Sequence, residues 1–77
     1  MIPIPACRVV TAPVAGRVGR LLDPGVEVGA GEVVAVVEGV AGTARLRAPA
    51  AGRVGGMLAG TAQPVSAGEG VVWLARA

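Results

Sequence analysis

Apolar and polar positions alternate along short stretches of the chain, and Gly or Pro separates each stretch from the next. In Ala44–Ala48, both arginines fall on one face of an extended strand and Leu46 falls on the other. No window keeps an apolar period of about 3.6 residues without meeting Gly or Pro, so the pattern argues against helices. It predicts about eight short strands. They are Arg8–Ala12, Arg17–Leu22, Val26–Val28, Glu32–Glu38, Thr43–Ala48, Arg53–Leu58, Pro64–Ser66 and Gly70–Ala75.

The sequence also repeats itself once. The eleven residues of Ala12–Leu22 match Ala48–Leu58 at eight identical positions and an offset of 36 residues. Farther on, Val28–Glu32 returns as Val65–Glu69 with the offset grown to 37. Two copies are too few for a solenoid, so they favour a closed structure in which each half covers the other. We therefore expect an all-β fold, a flattened barrel or sandwich of two four-stranded antiparallel sheets with pseudo-two-fold symmetry.

Length and composition limit the size of the core. Seventy-seven residues are enough for one domain, residues 1–77, with a shallow core. Pro3 and Pro5 favour an extended N-terminal arm over residues 1–7. Apolar residues make up 53% of the chain, mainly Val, Ala and Leu, and Trp73 is the only aromatic residue. We expect Trp73 to cap a core of small side chains; the alternative is an interface hot spot.

Charge and hydropathy exclude several classes of function. The net charge is +2, and all seven basic residues are arginines scattered singly along the chain. Without a basic run or aromatic platforms, nucleic-acid binding is not expected. No apolar run approaches the ~20 residues of a membrane span, and the start does not resemble a signal peptide, so we expect a cytoplasmic protein that does not associate with membranes. The single cysteine, Cys7, is expected to be a buried or half-buried hydrophobe; a reactive thiol assisted by Arg8 is the alternative.

Two pairs of charged residues recur in the repeat. Arg17 and Arg53 are expected to be solvated strand residues that protect sheet edges, with contacts to an acidic partner as the alternative. Glu32 and Glu69 follow tight turns and lack any companion that would make them a catalytic acid and base. We therefore expect no catalytic residues and no metal site.

Four segments resemble the biotinyl and lipoyl carrier domains. Ala12–Val18 and Ala48–Val54 are similar to the A-P-x-x-G-x-V motif that opens each half of these domains. Gly25–Glu32 resembles their G-D-x-V-x-x-G-Q/E turn, and Val65–Glu69 resembles the closing V-x-x-G-x turn. The segments occur in the family's order and spacing over nearly the whole chain. The resemblance implies the family's barrel-sandwich fold.

The same resemblance locates the place where this chain departs from the family. In the family, a hairpin joins the two halves and displays one lysine, as E-A-M-K-M in biotinyl domains and commonly as D-K-A in lipoyl domains. With Glu38 and Ala48 aligned on their family counterparts, residues 39–42 cover A-M-K-M, and Ala41 stands at the lysine. The sequence contains no lysine at all. Biotin and lipoate form an amide with a primary amine, for which a protonated guanidinium cannot substitute. We therefore expect no bound cofactor.

Fold and missing lysine together predict a pseudo-carrier that is not an enzyme: a regulatory or assembly module that binds another protein. The resemblance implies partners among the subunits of carboxylases or oxo-acid dehydrogenases, and a homo-oligomer is possible. The predicted partner-binding residues form the hairpin tip. Its other interpretation is a simple connector, in which Gly39 and Gly42 can take positive φ and close the hairpin without strain. The alternative function is a structural lipoyl-like module of a membrane-fusion or transport assembly. The tip residues are Glu38, Gly39, Val40, Ala41 and Gly42.

Overall fold

The computed structural model describes residues 7–76, and every regular element in that range is a strand. All eight predicted strands are present, and each boundary lies within one residue of its expected place. In chain order they are β1 (Cys7–Thr11), β2 (Gly16–Leu21), β3 (Glu27–Val28), β4 (Val33–Gly39), β5 (Gly42–Arg47), β6 (Gly52–Met57), β7 (Pro64–Val65) and β8 (Gly70–Ala75).

The strands form two four-stranded antiparallel sheets. The first sheet has the order β1-β8-β6-β3, and the second has the order β5-β4-β2-β7. Replacing each strand by its counterpart in the other half, β1 by β5 and β2 by β6, turns the first order into the second. The predicted flattened barrel with pseudo-two-fold symmetry is therefore confirmed, and both halves contribute strands to both sheets.

Backbone hydrogen bonds outside the strands repeat with the same symmetry. Ala12 donates from its amide to the carbonyl of Glu69 at 2.9 Å, and Ala48 donates to the carbonyl of Glu32 at 2.8 Å. Each Ala-Pro motif is thus held by the tight turn of the opposite half. Because buried backbone groups need partners, neither half can satisfy its own backbone without the other.

The core lies between the two sheets and consists of small aliphatic side chains. Symmetry-related positions carry residues of the same kind: Val18 and Val54 are both 1% exposed, and Val34 corresponds to Val71. No polar or charged side chain is buried within the described range. This packing accounts for the sequence repeat, because inward-facing positions of both halves must fill the same narrow space at high packing density.

Two sequence-based expectations about single residues are wrong. Trp73 does not cap the core: its neighbours along β8 are buried, and its half-buried ring lies on the outer face of the first sheet, over Gly55 and Gly56. Cys7 is exposed rather than buried, because it begins the edge strand β1 at an open end of the barrel.

Two further expectations concern the N-terminal arm and membrane-spanning segments. Apart from Cys7, the predicted extended arm of residues 1–7 lies outside the described residues, so it stays a prediction. Within residues 7–76 there is no helix of the length and apolar character needed to cross a membrane.

Candidate functional site

The β4–β5 hairpin ends in the tightest turn available to two antiparallel strands. Pairing continues as far as Gly39 opposite Gly42, which leaves Val40 and Ala41 as a two-residue loop. Val40 is 108% exposed relative to its reference state, and Ala41 is also exposed. The structure thus places all five predicted tip residues together at the junction of the two halves.

The two glycines of the turn serve different purposes. Gly42 has φ +132°, a conformation that side-chain-bearing residues rarely adopt, as expected. Gly39 is not among the residues with positive φ, so it does not use that freedom. It is instead a site of close approach, because a β-carbon there would lie 3.2 Å from both the carbonyl oxygen of Ala15 and the Cγ2 of Val14.

A second glycine fixes the hairpin to the start of β2. Gly16 pairs with Gly39, and a β-carbon added at Gly16 would overlap the carbonyl oxygen of Glu38. Gly52 has the same relation to Ala75 in the other half, with a β-carbon 2.6 Å from its carbonyl oxygen. The Gly of each A-P-x-x-G motif is therefore required by backbone packing, and at Gly16 this packing holds the base of the hairpin.

Val14 and Ala15 also belong to the tip, which the resemblance to the family did not indicate. They line the same shallow surface as Val40 and Ala41. Val14 is 42% exposed. The pairing of the strands explains their position: because Gly16 at the start of β2 lies opposite Gly39 at the end of β4, the residues just before Gly16 lie beside the hairpin. We call residues Val14, Ala15 and Glu38–Gly42 the tip surface.

Glu38 is the only charged group of the tip surface. It is exposed and lies opposite Arg17 on β2 and Thr43 on β5. The only ion pair within residues 7–76 joins other residues, Arg53 and Glu27, at 3.3 Å on the first sheet. Glu38 thus keeps its carboxylate available to solvent or to a partner. Chemically the tip surface offers two valines, small apolar groups and one carboxylate, a composition suited to contact with another molecule.

The paired charges seen in the sequence have structural roles. The Glu32 and Glu69 carboxylates accept bonds from the backbone amides of Gly29 at 2.9 Å and Ser66 at 3.0 Å, so each closes its own tight turn. Within the described range, no group of three or more His, Cys, Asp or Glu residues could hold a metal ion.

The two equivalent arginines are exposed, as expected, but neither lies on an edge strand. Arg17 is on β2 and Arg53 on β6, both inner strands. The Arg17 guanidinium donates to the carbonyl of Ala62 at 3.1 Å, and Arg53 meets Glu27. Each arginine therefore ties the short outer strand, or the turn before it, to the inner strand. The expectation that they protect sheet edges is wrong in this respect.

Comparison with known proteins identifies where this fold occurs. No family model and no curated protein matches the sequence. Solved structures do match. The whole chain resembles a segment of a single-chain, multi-domain long-chain acyl-CoA carboxylase, with a TM-score of 0.87 and 26% identity. A segment of urea carboxylase from Kluyveromyces lactis matches 96% of the chain with a TM-score of 0.83 and 23% identity.

The likeness covers only a small part of each of these enzymes. This chain corresponds to 8% of the acyl-CoA carboxylase and 6% of the urea carboxylase. The ectoine utilization protein EutE (DoeB) from Ruegeria pomeroyi shares the fold over 90% of this chain and 22% of its own, with a TM-score of 0.76 and 21% identity. The biotinyl/lipoyl-like fold is therefore confirmed, and it is one that two carboxylases contain as a minor segment.

Proposed function

We propose that this chain is a non-catalytic pseudo-carrier, one biotinyl/lipoyl-like module that is not acylated and that docks on a protein partner through its tip surface. The partner belongs to a carboxylase or oxo-acid dehydrogenase type of complex, where the module regulates activity or assists assembly. The observation that carries the proposal is the two-residue turn, at which Val40 is fully exposed. By its resemblance to the family in sequence, Ala41 corresponds to the attachment lysine.

The residues present do not fit biotin or lipoate. Either group would need a primary amine on the hairpin, and the tip surface carries only aliphatic side chains and one carboxylate. Arginine, the chain's only basic residue type, is protonated at neutral pH and lacks a nucleophilic lone pair on a primary amine. The fold of a carrier is thus combined with a tip that has no group to acylate. For this reason we infer function from the tip and not from the fold.

A docking role accounts for the exposed valine. Burying a valine side chain contributes about 1.5–3 kcal/mol, which is available to a partner because the fold does not use Val40. Val14 lies on the same surface, so the two side chains offer one small apolar contact beside the Glu38 carboxylate. Small surfaces of this kind are typical of weak, regulatory encounters.

The proposed partner class is based on the proteins in which this fold occurs. Two of the matching structures are multi-domain or large carboxylases in which the equivalent segment is a minor part. The alternative, a structural module of a membrane-fusion or transport assembly, has less support. The resemblance leads us to expect a long coiled-coil hairpin at the tip of such modules, and here two residues complete the turn.

The test is capture of the native partner, followed by a matched pair of variants. Tagged protein is recovered from its native host, and bound proteins and the intact mass of the chain are determined by mass spectrometry. We expect an unmodified mass and carboxylase or dehydrogenase subunits among the bound proteins. A mass increase equal to a biotinyl or lipoyl group would end the proposal.

The variants separate the tip from the rest of the surface. Val40→Asp should weaken binding of the purified partner about tenfold, because it places a charge where an apolar contact forms. Val26→Asp is the control, since Val26 is also exposed (38%) but lies in the turn before β3. Thermal unfolding should be unchanged in Val40→Asp, and it confirms that Val26→Asp, whose side chain is partly covered, is still folded. Equal partner affinity for Val40→Asp and wild type would show that the tip does not dock.

A further inference from the structure

The outer faces of the two sheets differ although their inner faces match. In the second sheet, Arg20 and Arg45 lie on either side of Val36, in one row across β2, β4 and β5. The equivalent row of the first sheet is Gly56–Trp73–Val9. One row carries two cations and the other none. The core does not require this difference, because outward positions do not contribute to the packing between the sheets.

The row in the second sheet belongs to a larger cationic surface. Arg17 and Arg47 lie on the same outer face, in the neighbouring rows, and both are exposed. Glu38 is the only acid on this face, so the face carries four positive charges against one negative charge. The chain's remaining acids lie elsewhere: Asp23, Glu32 and Glu69 in turns and Glu27 on β3. We call Arg17, Arg20, Val36, Glu38, Arg45 and Arg47 the arginine face.

The positive charge of this face is not neutralised within the described part of the chain. Arg17 and Arg47 each donate one hydrogen bond to a backbone carbonyl, at 3.1 and 3.0 Å. Arg20 and Arg45 make no side-chain hydrogen bond or ion pair with residues 7–76. Neighbouring strands are about 4.8 Å apart, so the backbones of these two residues are separated by about 10 Å. Like charges at this spacing repel one another.

Protection of a sheet edge explains only part of the arrangement. Arg45 and Arg47 lie on β5, an edge strand, where charged side chains discourage pairing with other chains. Arg17 lies where β2 is paired on both sides, whereas Arg20 lies on a stretch of β2 that pairs only with β4. The opposite edge strand of the first sheet, β1, carries Val9 at the position equivalent to Arg45 and leaves it 51% exposed. β1 itself carries Arg8, and Val9 lies beside Arg45 and Arg47, so edge protection accounts for the arginines of β5 but not for Arg17.

We propose that the arginine face binds an acidic surface or segment of a protein partner, with Val36 as the apolar centre of the contact. Guanidinium groups form paired hydrogen bonds with carboxylates, and arginine is enriched at the energetic centres of interfaces. Val36 is half-buried and lies between Arg20 and Arg45, which have no side-chain partner among residues 7–76. If an apolar residue of the partner contacts Val36, acidic residues next to it in the partner lie beside the two arginines. A nucleic-acid partner is disfavoured because the chain's single aromatic residue, Trp73, lies on the other sheet and cannot stack bases here.

The arginine face is separate from the tip surface except for Glu38, and the proposal does not rest on the proposed function. The hairpin strands connect the two surfaces, so one partner could contact both. Their tests differ: the tip is tested with the captured native partner, and the arginine face with a defined acidic peptide.

The experiment uses two double variants of identical net charge. Arg20→Glu/Arg45→Glu and Arg8→Glu/Arg76→Glu each replace two positive by two negative charges, so both change the net charge from +2 to −2. Arg8 and Arg76 are exposed at the other end of the barrel, beside Cys7. The probe is a short fluorescein-labelled peptide of alternating glutamate and valine, and binding is followed by fluorescence anisotropy at low ionic strength. Thermal unfolding confirms that both variants are folded.

We expect the peptide to bind wild type and the Arg8/Arg76 variant within about threefold of one another, and the Arg20/Arg45 variant at least about tenfold more weakly. Val40→Ser should leave the affinity for the peptide unchanged. The proposal fails if wild type does not bind the peptide, or if both double variants lose affinity equally, since net charge alone would then explain binding. It also fails if a single-stranded DNA of the same charge binds more tightly through the same arginines, or if Val40→Ser abolishes binding, which would assign the peptide to the tip.

Discussion

The fit between Gly16 and the hairpin can be tested by adding a single methyl group. Gly16→Ala would place its β-carbon against the carbonyl oxygen and carbon of Glu38. These are backbone atoms of a paired strand, so they cannot move aside as the end of a long side chain can. The substitution should therefore separate the start of β2 from the end of β4.

The magnitude follows from two opposing effects. Overpacking of this kind typically destabilises by about 1–3 kcal/mol. Replacing Gly by Ala also restricts the unfolded chain, which stabilises by about 0.4–1 kcal/mol where the backbone permits. The net loss for Gly16→Ala is about 1–2 kcal/mol. For a domain of this size, that corresponds to a fall in Tm of about 5–15 °C.

Gly19 supplies the matched control on the same strand. A β-carbon there would lie 3.4 Å from the Glu38 side chain, an ordinary contact, and its φ is outside the left-handed region. Gly19→Ala should therefore leave the Tm unchanged or raise it slightly. Unfolding in urea followed by circular dichroism and by the fluorescence of Trp73 gives both free energies, and agreement between the probes tests two-state behaviour.

The comparison between the variants is decisive. If Gly16→Ala and Gly19→Ala have the same stability, the close approach at the base of the hairpin is not a constraint on this fold. The tip surface would then lack the rigid support that we derive from Gly16 and Gly39. A large loss for Gly16→Ala alone supports that derivation.

Two further substitutions test the strained and the crowded positions of the second half. Ala62 has φ +68°, where the first half has Gly25 at +92°, so Ala62→Gly should raise stability by about 0.5–1 kcal/mol in urea unfolding; a lower stability would mean that Ala62 is not strained. A β-carbon at Gly55 would overlap the Trp73 ring, so Gly55→Ala should displace the ring into solvent and shift its fluorescence to longer wavelength. An unchanged emission spectrum would place the ring elsewhere.

The repeat made most of the fold predictable. Because Ala48–Leu58 repeats Ala12–Leu22, the strands predicted for one half also apply to the other. The Gly and Pro residues between the strands then indicate where each strand ends. Single residues were harder. The position of Cys7 depends on which strand forms the edge, and the location of Trp73 depends on which face of β8 it occupies. Neither is encoded in the local pattern of apolar residues.

The arginine face illustrates why surface sites were not predictable. In a regular strand, residues three apart point to opposite faces, so Arg17 and Arg20 would be separated. The register shifts between Val18 and Arg20, and this bulge returns Arg20 to the same outer face as Arg17. A bulge is a property of two paired strands. The sequence of β2 alone therefore could not place these side chains together.

The tip was located by resemblance, but the reason for its geometry was not. The family alignment put residues 39–42 at the hairpin, and the structure confirms a turn there. Both glycines can take positive φ, but only Gly42 does so, whereas Gly39 allows the close approach of Val14 and Ala15. Tertiary contact, not turn chemistry, explains that glycine.

The two halves share an interior and differ outside, and this division indicates where function should be sought. Because each half contributes strands to both sheets, an inward-facing residue of one half packs against residues of the other, and substitutions there are coupled across the pseudo-two-fold axis. Outward positions are free of that coupling. Arg17 and Arg53 keep the symmetry there, but Arg45 corresponds to Val9 and Val36 corresponds to Trp73. Substitutions at these outward positions can therefore change what the surface binds without changing the packing between the sheets.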